Sequence, residues 1–157
     1  MPYTLIRNGT LIDGNGGAPL RNATVLIEDN RIKAVGAAKD IAPPDTKTAE
    51  LDAKGGFILP GFIDTHVHLM LEGVNIMRDM VTPFSLKFYN SAQYMRRTIE
   101  AGITSVRDAG GADAGVKLAV ETGVVLGPRM QISIVPLTIT GGHGDGWMLS
   151  GNEFNLF

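Results

Sequence analysis

The chain has 157 residues, with 14 Lys+Arg against 16 Asp+Glu and a formal charge of −2. This length suits one ordinary domain with a core of its own, and the near-neutral charge argues against a surface built for nucleic acid or acidic membranes. No cysteine is present, which excludes disulfides, thiolate zinc sites and cysteine nucleophiles. No secretory signal or membrane-spanning run is visible, so we expect a soluble, cytoplasmic protein.

Short apolar or β-branched runs dominate the first 57 residues. They lie at residues 3–6, 10–12, 24–27, 31–35 and 50–52, and such runs are typical of strands. Asp29 and Asn30 stand where a two-residue hairpin turn needs residues that tolerate positive φ. We therefore predict a small β-rich unit here.

From residue 58 onward the pattern changes to alternating strands and helices. Strand signals occur within residues 58–69, 103–107 and 129–135. Thr82 and Pro83 are predicted to be the N-cap and the first residue of a helix. Apolar residues at steps of three and four give that helix one buried face. The predicted face consists of Phe84, Phe88, Ala92, Met95 and Ile99.

Gly102 is predicted to end this helix, and Asp113 and Gly123 to begin and end a second one. Strands alternating with helices predict a parallel sheet. About 100 residues hold three such units at most, whereas a closed eight-fold barrel needs about 250 residues. We therefore expect an incomplete barrel, the front part of a larger protein.

The segment over residues 59–69 carries the candidate chemistry. Side chains alternate between the faces of a strand, so Asp64, His66 and His68 are predicted to share one face. The two imidazoles are then about 6.6 Å apart, because each residue advances a strand by about 3.3 Å. The opposite face, which suits packing beneath helices, consists of Ile63, Thr65, Val67 and Leu69.

Two imidazoles at this separation can share one divalent cation, and neutral imidazole is a good ligand for zinc. A His-x-His pair also occurs on protein surfaces without a metal, so the spacing by itself leaves both interpretations open. The apolar surroundings favour the metal, because buried imidazoles need polar partners. Asp64 is a candidate to orient a ligand ring through a hydrogen bond.

Three segments carry a resemblance to a known family. Residues 60–68, PGFIDTHVH, resemble the first-strand motif of the amidohydrolase superfamily. Residues 101–108, AGITSVRD, resemble its second strand, and residues 141–145, GGHGD, resemble a loop after its third strand. The combination is similar to the imidazolonepropionase-like branch, which includes metal-dependent dipeptidases acting on Xaa-Pro, Xaa-Arg or Xaa-Lys peptides.

The resemblance implies both an architecture and a cofactor. Residues 1–57 would be the N-terminal part of a composite β-sandwich, and residues 58–157 about the first three strands of a (β/α)₈ TIM-like barrel in an α/β protein. The family's centre is binuclear and commonly holds two Zn²⁺ in the complete enzyme, with His66 and His68 on the more buried ion. The other ligands and the general base belong to later strands, so no catalytic residue is assigned in this chain.

His143 and the pair Arg107–Asp108 are further candidates. His143 lies among three glycines that let the backbone come close to a ligand, and the resemblance implies that it binds the substrate. A solvated glycine-rich loop with an incidental histidine is the alternative. Arg107 and Asp108 end a barrel strand near the expected site, but we interpret them as an internal ion pair.

Three functional hypotheses follow. The first is a metal-dependent hydrolase of an amide or peptide C–N bond, with a dipeptide or other small molecule as substrate. The second is a cyclic-amide hydrolase or deaminase of the same superfamily. The third is a non-catalytic fragment or subunit that needs a second chain to complete the barrel. The expected protein partner is a complementing chain or further copies in a homo-oligomer. The chain on its own is expected to bind metal weakly and to be inactive.

Overall fold

The computed structural model describes residues 3–73, 75–142 and 144–145. The chain divides into two compact units, Met1–Pro60 and Gly61–Phe157. No helix in the described ranges is both long and apolar enough to cross a bilayer.

The first unit contains one mixed sheet of five strands in the part of the chain that the structure describes. Its strands are β1 (Tyr3–Leu11), β2 (Leu20–Glu28), β3 (Arg31–Ala37), β4 (Thr48–Asp52) and β5 (Phe57–Ile58). The order is β3-β2-β1-β4, and β5 also pairs with β1. β1 is antiparallel to β2 but parallel to β4 and β5.

The predicted hairpin turn is confirmed, because Asp29 lies between β2 and β3 with a φ of 53°. The two short runs predicted at residues 3–6 and 10–12 form a single strand. Asn8, with a φ of 58°, accompanies an irregularity in the pairing of that strand between Ile6 and Gly9. A local kink of this kind breaks the apolar pattern without ending the strand. Ile58 pairs with β1 and belongs to the first unit.

The second unit contains a three-stranded parallel sheet in the order β6-β7-β8. Its elements in chain order are β6 (Phe62–Val67), α1 (Ile76–Val81), α2 (Phe84–Glu100), β7 (Ile103–Asp108), α3 (Ala114–Glu121) and β8 (Arg129–Ile132). The predicted alternation of strands and helices is therefore confirmed. α1 has no counterpart among the predicted helices.

The helix ends follow local chemistry. The Asp113 carboxylate accepts a hydrogen bond from the Val116 amide, 2.8 Å away, and caps α3 as predicted. Gly102, with a φ of 87°, follows the end of α2. The predicted start of α2 is wrong by one residue, because Pro83 is the N-cap. Thr82 instead ends α1, where its hydroxyl donates to the Arg78 carbonyl.

One face of the parallel sheet packs against the helices. The core combines Val106 and Met130 of the sheet and Leu69, which follows β6, with Met95 of α2 and Val116 of α3. Phe88 packs against this core, whereas Phe84 is 78% exposed and only meets Phe88 edge to face. The predicted buried face of α2 is therefore correct from Phe88 onward.

Candidate metal centre

A β-bulge in β6 sets the direction of the two histidine side chains. Asp64 pairs with Val106 and Val67 with Asp108, so three residue steps on β6 match two on β7. Directly paired residues point to the same face of a sheet, and Val106 and Asp108 share the buried face. Asp64 and Val67 therefore both lie on the helix-covered face.

The prediction that Asp64 lies on the same face of the strand as His66 and His68 is wrong because of this bulge. Alternation from Val67 directs His66 and His68 to the face opposite the helices, whereas Asp64 lies on the other side of the bulge. Ile63 is 70% exposed instead of packed beneath a helix. A bulge adds one residue to one strand, and the strict two-residue alternation fails across it.

The two imidazole rings lie close together at the end of β6. Their centroids are 5.3 Å apart and their planes meet at 79°, an edge-to-face arrangement. His66 is exposed and His68 is half-buried. The rings are thus near enough to contribute nitrogen ligands to one small site.

The Gly110 carbonyl determines which nitrogen of the neutral His68 ring carries the proton. Nδ1 of His68 lies 2.9 Å from the Gly110 oxygen, and a carbonyl oxygen can only accept a hydrogen bond. In the neutral ring the proton is therefore on Nδ1, and the lone pair is on Nε2. A backbone carbonyl that orients a histidine in this way is typical of metal-binding imidazoles.

The predicted internal ion pair of Arg107 and Asp108 is wrong, because Asp108 binds backbone amides instead. Its side chain is fully buried and accepts hydrogen bonds from the amides of Leu69 (2.7 Å), Gly110 (3.0 Å) and Ala112 (3.2 Å). Arg107 points to the opposite, exposed face of β7, where its Nε donates to the Thr65 carbonyl, 2.7 Å away. Adjacent strand residues face opposite sides, which explains why no ion pair between the two is formed.

The hydrogen bond that the structure gives Asp64 is to the main chain of His66 and not to an imidazole ring. Asp64 Oδ1 accepts a hydrogen bond from the backbone amide of His66, 3.1 Å away. This is the local turn-like contact that an aspartate makes with the amide two residues later. Asp64 therefore shapes the main chain at the bulge.

His143 lies outside the described residues. Around it, the Asp145 carboxylate accepts from the Gly141 amide, and the Asp145 amide donates to the Gly142 carbonyl, 3.0 Å away. The predicted role of His143 in substrate binding stays a prediction.

The chain segment after His68 is tied to α2 through Glu72. The Tyr94 hydroxyl and the Arg78 guanidinium, both hydrogen-bonded to Glu72, hold the pKa of that carboxyl below its usual value. Burial raises the pKa of Tyr94, and its hydrogen bond to Glu72 raises it further. Because Tyr94 belongs to α2, this contact secures the segment that follows the histidine pair.

Both histidines suit a divalent metal in donor type, and the hydrogen bond to Gly110 also gives His68 the suitable tautomer. A catalytic zinc normally has three protein ligands. Within residues 3–73, 75–142 and 144–145, no group of three or more His, Cys, Asp or Glu side chains is placed to hold a metal. Among the described residues, the two imidazoles alone would therefore not complete such a ligand set.

Comparison with known proteins identifies the family. A model of the amidohydrolase family matches residues 57–155. The chain belongs to the amidohydrolase family. The family resemblance predicted from the sequence motifs is thereby confirmed.

Curated relatives of this chain carry different enzyme names. Ochratoxinase from Aspergillus niger is 30% identical over 154 residues, which cover 96% of this chain and 32% of that protein. Imidazolonepropionase from Mycolicibacterium smegmatis is 33% identical over 117 residues, which cover 74% of this chain and 27% of that protein. The chain thus spans about a third of the length of the curated relatives it matches.

Solved structures are also similar to this chain over about a third of their own length. A prolidase complexed with N-methylphosphonate-L-proline has a TM-score of 0.82 and 35% identity, over 98% of this chain and 36% of that one. The A. niger ochratoxinase structure has a TM-score of 0.74 and 30% identity, over 92% of this chain and 34% of that one. Each match again covers about a third of the larger chain.

Proposed function

We propose that this chain is the N-terminal portion of a metal-dependent amidohydrolase that cleaves an amide or peptide C–N bond. The observation that carries the proposal is the histidine pair at the end of β6, with His68 held by the Gly110 carbonyl. In this proposal His66 and His68 are metal ligands. The cofactor is a divalent metal, two zinc ions in the complete enzyme.

A bound divalent metal supplies polarisation of the amide carbonyl and activation of water. The contacts within this chain already orient a ligand side chain without a bound metal. His68 keeps its proton on Nδ1 through the contact with Gly110, so that Nε2 carries the lone pair needed for coordination. We expect the general base and the remaining ligands in a part of the protein outside this chain.

The open sheet face supports a barrel as the complete architecture. All-parallel sheets are normally covered on both faces, yet Ile63 is 70% exposed on the face opposite the helices. Ser105, Arg107, Arg129 and Gln131 line a depression on the same side. In a closed (β/α)₈ barrel this face is the interior, which directs both histidines inward. The first unit would then be part of a composite β-sandwich.

A peptide-like substrate is our first choice. The similarity to a prolidase bound to a proline analogue supports a dipeptide, as does the GGHGD sequence at residues 141–145. His143 would bind the substrate. Imidazolonepropionase among the relatives favours a cyclic amide as the second candidate.

The experiment is a substrate panel on the complete protein purified with zinc. We expect hydrolysis of Xaa-Pro, Xaa-Arg or Xaa-Lys dipeptides, with loss of activity on chelation and recovery when zinc is returned. Activity on a five- or six-membered cyclic amide alone would favour the second candidate. Full activity after complete removal of metal would contradict the proposal.

The 157-residue chain by itself should hydrolyse nothing and bind metal weakly, because it lacks a third ligand among its described residues. A partner is part of this proposal: either further strands of the same polypeptide or a complementing chain. The mass of the purified species and any co-purifying polypeptide distinguish the two. A cytoplasmic location stays a prediction.

A further inference from the structure

Two consecutive residues of β7, Arg107 and Asp108, hold the histidine segment, residues 65–69, through side-chain hydrogen bonds. Thr65 and His66 have no paired residue on β7, because the bulge interrupts the ladder. The Thr65 carbonyl instead accepts a hydrogen bond from Arg107 Nε at 2.7 Å. Arg107 thus secures the main chain immediately before His66.

Asp108 secures the other end of the segment. Its carboxylate binds the Leu69 amide, directly after His68, and the Gly110 amide, in the residue whose carbonyl holds the His68 ring. A third bond to the Ala112 amide extends this turn. Hydrogen bonds to an ionised carboxylate are stronger than neutral ones, and Asp108 is completely buried.

We propose that Arg107 and Asp108 are positioning residues that hold His66 and His68 as metal ligands from opposite faces of β7. Arg107 acts through the carbonyl of the bulge, and Asp108 acts through the Leu69 amide and the Gly110 turn. The inference rests on the proposed function, because it assumes that the histidines bind metal. Neither residue is a ligand or a catalytic group here.

The substitutions that test the proposal follow from hydrogen-bonding capacity. In Asp108→Asn one acceptor oxygen becomes an NH₂ donor, which then faces backbone N–H groups. In Arg107→Gln the guanidinium that reaches the bulge carbonyl is lost. Loss of such an outer contact typically lowers metal affinity about 10- to 100-fold, and we expect this range for both variants.

Arg129→Gln is the matched control. Arg129 is also exposed, and it lies on the neighbouring strand β8 beside the same depression. It pairs with Ser105 and lies on the strand that does not adjoin β6. Its substitution should leave metal affinity within about twofold of the wild type. This change is well below the roughly tenfold or greater loss expected when an outer contact is removed.

The experiment is a Co²⁺ titration of the complete protein, followed by the visible absorption of the bound metal and by competition with a chelator. Both variants should bind Co²⁺ more weakly, and their spectra should differ from the wild-type spectrum because the ligand geometry has changed. A merely structural role would lower the melting temperature and leave the spectrum of the folded, loaded protein unchanged. Unchanged affinity and spectrum in either variant would overturn the proposal.

A second measurement on the wild type keeps the Asp108 part testable if Asp108→Asn does not fold. Metal binding should slow hydrogen exchange at the Leu69, Gly110 and Ala112 amides, because Asp108 links them to the ligand segment. Unchanged exchange at these amides would overturn the role of Asp108. If His66→Ala/His68→Ala retains its metal, the proposed function itself fails; if only the β7 variants retain theirs, the positioning role alone fails.

Discussion

Thr104 leaves no room for a side chain on Gly61. A Cβ at residue 61 would lie 2.2 Å from Thr104 Oγ1 and 2.3 Å from its Cγ2. Residue 61 leads directly into β6, and the next amide, that of Phe62, donates to the Gly102 carbonyl at 2.9 Å. This close approach fixes how the chain enters the strand that carries the histidine pair.

Gly61→Ala should therefore destabilise the protein by about 1–3 kcal/mol, the usual range for overpacking. Thr104→Ala removes both of the nearest atoms, so the double variant should recover part of that loss. Chemical denaturation of the two single variants and the double variant measures the coupling. Effects that add to within about 0.5 kcal/mol would show that the two residues do not interact.

Gly110→Ala should weaken metal binding and stability together. Gly110 has a φ of 151°, and a Cβ there would lie 2.8 Å from Pro136 Cδ. Relief of this clash would move the carbonyl that holds His68, so we expect roughly a tenfold loss of zinc affinity. Gly17→Ala is the control, since nothing lies within 4 Å of its added Cβ. Equal zinc affinity in both variants would contradict the prediction.

The double substitution His66→Ala/His68→Ala should abolish metal uptake by the complete enzyme, because two imidazole ligands are removed from one site. Lys87→Ala on α2 is the control and should retain its metal. Elemental analysis of the purified proteins gives the metal content directly. Full occupancy in the double variant would refute the ligand assignment.

Glu72→Gln should destabilise the protein at neutral pH and have little effect in acid. The pKa of Glu72 is lowered from 4.5 in the folded protein, so its contribution is present above that value and is lost as the pH falls through the folded pKa. Melting temperatures at pH 7 and at about pH 3, below the ordinary glutamate pKa, should show the difference between wild type and variant shrinking. Tyr94→Phe should reduce the same pH dependence. A difference that is constant across this pH range would contradict the role assigned to Glu72.

Much of the fold could be predicted from local sequence signals. Asp113 and Gly102 mark helix ends because capping depends on neighbouring residues only. The parallel strands follow from the strand–helix alternation. α1 was missed because Ile76–Val81 is only six residues long, too short for a helical period to stand out.

The candidate site was less predictable, because it depends on pairing between distant residues. The bulge near His66 exists only in relation to β7, so the alternation rule placed Asp64 on the wrong face. Asp108 directly precedes an Ala-Gly-Gly turn, and an aspartate before such a turn commonly accepts backbone amides. That signal could have identified its role, but the adjacent Arg107 suggested an ion pair instead.

The Asp108 contacts also have a consequence for building hybrid enzymes. They reach Leu69 on one side and Ala112 on the other, and the chain beyond these two residues is not held by this carboxylate. Leu69 and Ala112 are themselves buried in the core of the second unit, so a chimera should keep both residues together with Asp108 and place its junctions at exposed positions. Segments outside such a unit could then be exchanged with those of relatives while the contacts to Leu69, Gly110 and Ala112 are retained.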